Sequence, residues 1–187
     1  IPTYNEKKNI DLLIKKIFKI LKKSLFEIIV IDDDSKDGTI NILKDIKVKN
    51  KKFNYFIRSK VDRDLSKSII LGITKTKYEN IVVMDGDLQH NPKYLPKILK
   101  IFSNRDLDFL VCSRNFSKRY GLSLIRYYSS RLLIFFINII LRKKVSDPMS
   151  GFFIFKKNFF KSNKLYVYNK GFKILLSLIY STKIKLK

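Results

Sequence analysis

The sequence is poor in residues that mark several classes of protein. Its 187 residues include one cysteine, Cys112, one histidine and no tryptophan. A single cysteine excludes a disulfide framework within the chain and favours a reducing compartment. Four prolines and six glycines form no linker-like stretch, and there is no internal repeat. Residues 1–187 are therefore predicted to form a single domain, which at this length can bury a sizeable core.

Long apolar stretches are missing as well, and acids are scarce toward the C-terminus. The longest apolar run, Leu132 to Leu141, is about half of the ~20 residues that a membrane-spanning helix requires. The formal net charge is +24, and residues 114–187 hold 17 Lys and Arg but one acid, Asp147. Such a basic, partly apolar surface favours binding to an anionic membrane. Each Lys or Arg near the membrane surface adds about 1 kcal/mol to the binding free energy.

The segment from Leu122 to Leu141 mixes Arg126 and Arg131 with apolar and aromatic residues, as an interfacial helix does. AT-rich coding, which enriches Lys, Ile, Asn and Phe, is the alternative explanation for the total charge. Nucleic-acid binding would also suit a basic chain. No nucleic-acid-binding motif is present and acidic strand ends oppose it, so we expect no nucleic-acid partner.

What the chain does contain is a regular alternation of short β-branched runs with helical patterns. Strand-like runs cover 26–32, 53–58, 80–84 and 108–113, and helical patterns cover 6–23, 39–47, 66–76 and 92–103. This alternation predicts an α/β protein with a mainly parallel sheet flanked by helices.

Two carboxylates follow the run that ends at Met84. Asp85 and Asp87 flank Gly86, and ligands of open α/β sheets bind beyond such carboxyl ends of strands. Carboxylates at i and i+2 can both reach one divalent cation, and the glycine leaves room for a ligand. Mg²⁺ or Mn²⁺ bound in this way takes its other ligands from water and phosphates. The pattern predicts a metal–diphosphate site, with a plain polar turn as the alternative.

Acids also follow the run 28–31, where three aspartates at 32–34 precede a predicted helix start at Thr39. A carboxylate at this strand end is suited to accept hydrogen bonds from ribose hydroxyls or from a base N–H. Acids alone would repel a diphosphate, so a cation is needed in the same pocket. Residues 1–6 fit a third strand end, with Asn5 as a cap for the next helix. Tyr4 either stacks on a base or is a surface tyrosine.

Five blocks in order carry a resemblance that covers nearly the whole chain. They are Ile-Pro-Thr-Tyr-Asn-Glu at 1–6, Val-Ile-Asp-Asp-Asp-Ser-Lys-Asp-Gly-Thr at 30–39, Asp-Gly-Asp-Leu-Gln-His-Asn-Pro at 85–92, Ser-Arg-Asn at 113–115 and Ser-Asp-Pro-Met-Ser-Gly-Phe-Phe at 146–153. Together they resemble family-2 glycosyltransferases of the Rossmann-like GT-A fold. The last block is most similar to polyprenyl-phosphate sugar transferases of the dolichyl-phosphate mannose synthase type.

The resemblance implies an enzyme that moves a hexose from a nucleotide sugar to a polyprenyl phosphate, such as dolichyl or undecaprenyl phosphate. The implied reaction is metal-dependent and inverting, and takes place at the cytoplasmic face of the membrane. Mannose from GDP-mannose is the first expectation and glucose from UDP-glucose the second. A transferase that extends a surface polysaccharide or glycolipid is one alternative, and an inactive or binding-only fragment is another.

The resemblance also implies roles for individual residues. The metal would be bound by Asp85, Asp87 and Gln89. The donor would contact Pro2, Tyr4, Glu6, Ile31, Asp33, Asp85, Gly86, Asp87 and Arg114. The catalytic residues would be Asp87, Arg114, Arg126 and Ser130. Of these, Arg114, Arg126 and Ser130 would bind the acceptor phosphate. Asp147 would be an auxiliary residue.

Two arguments from chemistry and spacing accompany these roles. A polyprenyl phosphate is already an anionic nucleophile and needs no side-chain base, so the enzyme must mainly position two phosphates, for which arginine forks are suited. Arg126 and Ser130 are four residues apart and could share a helix face, although Arg126 could also be a solvated charge.

The family usually continues with an Arg…Gly-x-Ser-Lys loop that has no match here, and the chain starts without Met, so we expect a catalytic domain truncated at both ends.

Overall fold

A computed structural model describes residues 1–58, 63–113, 132, 134–139, 147–148, 150–163 and 174–181. The strands are β1 (Pro2–Thr3), β2 (Ile28–Asp32), β3 (Phe53–Ile57), β4 (Asn80–Met84), β5 (Phe109–Val111) and β6 (Phe152–Lys156). The helices are α1 (Ile10–Ile20), α2 (Thr39–Lys49), α3 (Leu65–Lys75), α4 (Leu95–Asn104), α5 (Lys157–Asn163) and α6 (Ile174–Ser181). A 3₁₀ turn, Pro92–Tyr94, precedes α4.

The first sheet is parallel, with strand order β1-β2-β3. Pro2 pairs with Ile31 and Ile28 pairs with Phe53, so the carboxyl ends of all three strands lie at one edge. All five residues of β2 are buried. The strand is apolar without alternation up to its terminal aspartate because both faces of a parallel sheet are covered.

Helix α1 covers this sheet with one apolar stripe. Ile10, Leu13, Ile14 and Ile17 recur at spacings of three and four and are all buried, while the lysines occupy the opposite face. The N-terminal cap position of this helix is Asn9, so the prediction that Asn5 caps it is wrong. Asn5 has a positive φ of 56° and instead contacts the loop after β2.

The second sheet is antiparallel, with order β4-β6-β5. Met84 pairs with Phe152, and Val111 pairs with Phe153. Strand β6 was not among the predicted strands, because its phenylalanine-rich run has no alternation and follows turn residues. The α/β class is confirmed, and the parallel arrangement holds for the first sheet.

Two hydrophobic cores lie behind the sheets. One joins α1, α2 and α4 to β2, and the other packs α3, α5 and α6 against β4 and β6. Residues of β2 and β4 both line an apolar cavity of about 350 Å³, together with residues of α1 and α3. Within the described residues, no helix is both long and apolar enough to cross a bilayer.

Candidate functional site

The ends of β1 and β2 are joined by one side-chain and one backbone hydrogen bond. The Thr3 hydroxyl donates to Asp32 Oδ2 at 3.1 Å, and the Asp33 amide donates to the Thr3 carbonyl at 2.9 Å. Asp32 is fully buried and also accepts from the Ser35 amide and hydroxyl, at 2.8 and 2.7 Å. Asp32 therefore holds the loop after β2 in place and is not open to a ligand.

The turn after β4 packs against residues 2–6. A Cβ atom built on Gly86 would lie 3.0 Å from Thr3 Cγ2 and 3.4 Å from Glu6 Cγ. The structure thus brings together Pro2, Glu6 and Gly86, three of the residues predicted to contact the donor. Pro2 is buried at the end of β1, and the Glu6 carboxylate accepts a hydrogen bond from Asn9 Nδ2 at 2.9 Å.

The three predicted metal ligands are placed differently from one another. Asp85 and Asp87 are half-buried, whereas Gln89 is exposed. The Gln89 amide donates to Asp87 Oδ1 at 3.0 Å, and Leu88 has a positive φ of 63°. The chain therefore turns between Asp87 and Gln89.

Asp85 lies directly against the turn that precedes β6. Its amide donates to the Gly151 carbonyl at 3.2 Å, and a Cβ atom on Gly151 would lie 1.6 Å from Asp85 Oδ2. The Ser150 hydroxyl ties the same turn to the Cys112 carbonyl at 2.7 Å. No local sequence signal indicates this contact, because it depends on the pairing of β4 with β6.

The residues present fit a hard divalent cation with few protein ligands. The described part of the chain has no cluster of three or more His, Cys, Asp or Glu side chains that could hold a metal. Asp87 makes no hydrogen bond or ion pair there besides the one from Gln89. Two carboxylates, with water and phosphate supplying the other ligands, suit Mg²⁺ or Mn²⁺ and not a metal that requires a complete protein cage.

Asp33, predicted to contact base or ribose, is engaged by protein groups on both oxygens. Arg58 Nη1 donates to Asp33 Oδ1 at 3.1 Å, the Ser68 hydroxyl donates to the same oxygen, and the Asp64 amide donates to Oδ2 at 3.1 Å. The side chains of Asp33 and Arg58 are 10% and 9% exposed. A ribose would have to share this carboxylate with the ion pair.

Tyr4 is 42% exposed, and the Arg63 guanidinium lies 4.2 Å from the centre of its ring. This distance is typical of a cation–π contact. Sequence reasoning missed Arg63, which lies in a loop without a motif. Ile31, the other predicted donor residue of β2, is buried, and its amide donates to the Ile1 carbonyl, so its side chain belongs to the core.

The loop from Ser35 to Thr39 is fixed by Asp37. Asp37 Oδ1 accepts from the amide and the hydroxyl of Thr39, at 3.0 and 2.6 Å, and Oδ2 accepts from the Lys7 amide at 2.9 Å. Desolvation raises the pKa of Asp37, but these hydrogen bonds outweigh it and lower the pKa below its ordinary value. Gly38, with φ of 98°, provides the left-handed residue before α2.

The remaining predicted residues divide into two groups. Arg114, Arg126 and Ser130 lie outside the described residues. Asp147 is fully buried, and its carbonyl accepts from the Ser150 amide at 3.2 Å. Cys112 is half-buried, so the prediction from its apolar strand that it is a buried thiol holds only in part, and desolvation raises the pKa of this thiol to about 11.

The chain is similar in sequence to known proteins along most of its length. The protein-family model for glycosyl transferase family 2 matches residues 1–163. The dolichol-phosphate mannosyltransferase of Pyrococcus furiosus is 33% identical over 98% of this chain, and the chain covers 52% of that protein. The Saccharomyces cerevisiae protein of the same name is 30% identical over 96% of the chain, which covers 68% of it. The chain thus spans about half to two thirds of the length of these two relatives.

Solved structures show the same fold at lower sequence identity. Glucosyl-3-phosphoglycerate synthase from Mycobacterium tuberculosis, crystallised with Mn²⁺, uridine diphosphate and phosphoglyceric acid, has a TM-score of 0.71 at 18% identity. The match covers 95% of this chain and 60% of that chain. This likeness confirms the predicted GT-A fold.

Proposed function

The chain belongs to glycosyl transferase family 2, and from this premise we propose that it transfers a hexose from a nucleotide sugar to a polyprenyl phosphate, with inversion at the anomeric carbon. Mannose from GDP-mannose is the first candidate, because two relatives are named dolichol-phosphate mannosyltransferase. Glucose from UDP-glucose is the second. The observation that carries the proposal is the carboxylate pair Asp85 and Asp87, which follows β4 and flanks Gly86, the residue that packs beside the end of β1.

A divalent cation completes the donor site in this proposal. Asp85 and Asp87 would hold Mg²⁺ or Mn²⁺, with Gln89 as a third ligand if the turn at Leu88 adjusts. Bound there, the cation supplies charge stabilisation for the leaving diphosphate. Asp32, buried at the end of β2, makes the need for a positive charge greater, because acids repel phosphate.

The nucleoside would lie along residues 2–6 and the loop after β2. The exposed ring of Tyr4 is suited to stack on a base, with Arg63 on the same ring. Asp33 would contact the ribose, Pro2 and Glu6 would form the wall beside Gly86, and Arg114 would contact the diphosphate. Calorimetry with GDP and UDP in the presence of Mn²⁺ ranks the two bases.

The acceptor phosphate would be bound by arginines and not activated by a base, because a phosphate monoester is already ionised at neutral pH. Arg114, Arg126 and Ser130 are the residues proposed for this role, with Asp147 as an auxiliary residue. We expect Arg126→Glu to raise the acceptor KM or lower kcat while donor affinity stays unchanged. Arg105→Glu, at the exposed end of α4, is the matched control and should leave both parameters unchanged.

Contact with an anionic membrane at its cytoplasmic face is the last part of the proposal. In the helical segment around 134–139, four large apolar side chains are more than half exposed, namely Leu132, Phe135, Phe136 and Ile139. The formal net charge of +24 supplies electrostatic attraction to anionic lipids. Apolar insertion and charge attraction together suit a lipid-linked acceptor.

A radiolabelled sugar-transfer assay tests the proposal. The donors are GDP-mannose and UDP-glucose, and the acceptors are phosphorylated polyprenol, unphosphorylated polyprenol and a soluble glycan, each with Mn²⁺ and with EDTA. We expect transfer to the phosphorylated lipid alone, and only with the metal. Transfer to both lipids alike, or only to a glycan, would favour extension of a surface polysaccharide or glycolipid. Donor binding without transfer to any acceptor would indicate a binding-only fragment.

A further inference from the structure

Gly151 lies so close to Asp85 that a side chain at position 151 would overlap the carboxylate. A Cβ atom there would lie 1.6 Å from Asp85 Oδ2, 2.2 Å from Cγ and 2.6 Å from Oδ1. The φ angle of Gly151 is outside the left-handed region, in contrast to that of Gly38. The three nearest atoms all belong to the Asp85 carboxylate, so the requirement for glycine at 151 is steric.

Neither partner of this contact can move away easily. Asp85 follows β4, and its amide donates to the Gly151 carbonyl at 3.2 Å. Gly151 precedes β6, the central strand of the second sheet, whose Phe152 pairs with Met84. The Asp85 side chain is short, so a displacement of its carboxylate requires a change of rotamer or of strand pairing.

The turn before β6 is itself fixed from the other side. The Ser150 hydroxyl donates to the Cys112 carbonyl at 2.7 Å and accepts from the Phe152 amide at 3.2 Å. Ser150 and Asp147 are buried, and the Ser150 amide donates to the Asp147 carbonyl. The turn against which Asp85 lies is therefore held by hydrogen bonds to Cys112, Asp147 and Phe152.

We propose that Gly151 is a positioning residue for the cation site, because the space left by its missing side chain sets the orientation of the Asp85 carboxylate. The proposal rests on the proposed function, in which Asp85 is a metal ligand. Groups that orient a metal ligand typically change metal affinity 10- to 100-fold when they are altered. Gly151→Ala should therefore weaken Mn²⁺ binding by roughly that factor.

The test is direct titration of the protein with Mn²⁺ alone, followed by electron paramagnetic resonance of the free ion. Gly72→Ala is the matched control, because a Cβ atom there would make an ordinary contact of 3.4 Å with Ile31 Cγ1 in a helix. We expect Gly151→Ala to bind Mn²⁺ roughly 10- to 100-fold more weakly than wild type. Gly72→Ala should bind it as wild type does.

The outcomes separate this inference from the proposed function. If wild type binds Mn²⁺ and Gly151→Ala binds it equally well, the positioning role is overturned and the proposed function stands. If wild type binds no Mn²⁺, the metal site of the proposed function fails, and the positioning role fails with it.

A second variant decides the case in which Gly151→Ala does not fold. Asp85→Ala removes the three atoms nearest to a Cβ at position 151, so Asp85→Ala/Gly151→Ala should melt near the temperature of Asp85→Ala alone. A double variant that is as unstable as Gly151→Ala would show that another contact requires the glycine, and would overturn the inference.

Discussion

The Asp87 carboxylate accepts one hydrogen bond, from the Gln89 amide, and has an oxygen left for a ligand within the described residues. We expect Asp87→Ala to abolish Mn²⁺- or Mg²⁺-dependent donor binding and turnover, because one of two carboxylate ligands is lost. Asp45→Ala removes an exposed carboxylate of α2 and is the control. Isothermal titration with the donor and a transfer assay are the measurements. Unchanged activity of Asp87→Ala, or full wild-type activity in EDTA, would contradict the metal assignment.

The lowered pKa of Asp37 predicts a dependence of stability on pH. A carboxyl group whose pKa is lower in the folded state stabilises the fold above its ordinary value of about 3.9, and this contribution is lost as pH falls through the lowered pKa. Asp37→Ala should therefore melt below wild type at pH 7, and the difference should narrow below about pH 4. Thermal melts of both proteins across this range test the prediction. A difference in melting temperature that does not change with pH would show that the charge of Asp37 does not contribute to stability.

At the level of secondary-structure elements, the ion pair of Asp33 and Arg58 joins the end of β2 to the residue after β3. The Ser68 hydroxyl donates to the same Asp33 carboxylate and so connects α3 to this pair. Asp33→Ala removes the carboxylate from a buried guanidinium that keeps the Asp64 carbonyl and the Ser68 hydroxyl as acceptors, so we expect a loss of roughly 1–3 kcal/mol in the free energy of unfolding. Denaturant unfolding measures this loss. Asp33→Ala/Arg58→Leu should recover part of the stability, and no recovery would argue against the ion pair as the cause.

The same variant has a separate effect on ligand binding if Asp33 contacts the ribose. Nucleoside diphosphate affinity of folded Asp33→Ala should then fall by roughly 1.5–3 kcal/mol, the range for a hydrogen bond to a charged group. Calorimetry with GDP or UDP plus Mn²⁺ at a temperature where the variant is folded separates the two effects. Equal affinity would leave Asp33 with the structural role alone.

The elements that sequence reasoning located are those with a local pattern. Strand β2 and helix α1 have apolar residues at spacings that identify them, and the acids after β2 and β4 mark the ends of strands. Strand β6 and the Gly151 contact depend on pairing between distant segments, which leaves no local signal. The ion pair of Asp33 was also missed, because an aspartate at a strand end has the same local pattern whether it contacts a ligand or Arg58.

At the scale of the whole molecule, the charge and the exposed apolar residues around 134–139 predict peripheral binding to anionic vesicles. Binding should weaken as salt rises, because surface attraction is screened beyond a Debye length of about 8 Å at physiological ionic strength. Phe135→Ala should weaken binding further, whereas Val48→Ala, which alters an exposed apolar residue of α2, should not. Sedimentation with anionic and with neutral vesicles measures both effects. Equal, salt-independent binding to the two kinds of vesicle would contradict the prediction.

The position of β6 between β4 and β5 has a consequence for biosynthesis. Both neighbours leave the ribosome before their central partner, so their inner edges stay unpaired until residues 152–156 have been made. Unpaired edges are templates for aggregation in nascent chains. Because Gly151 follows Asp85 in the chain, the contact between them beside the proposed cation site can also form only after residue 151 has been made.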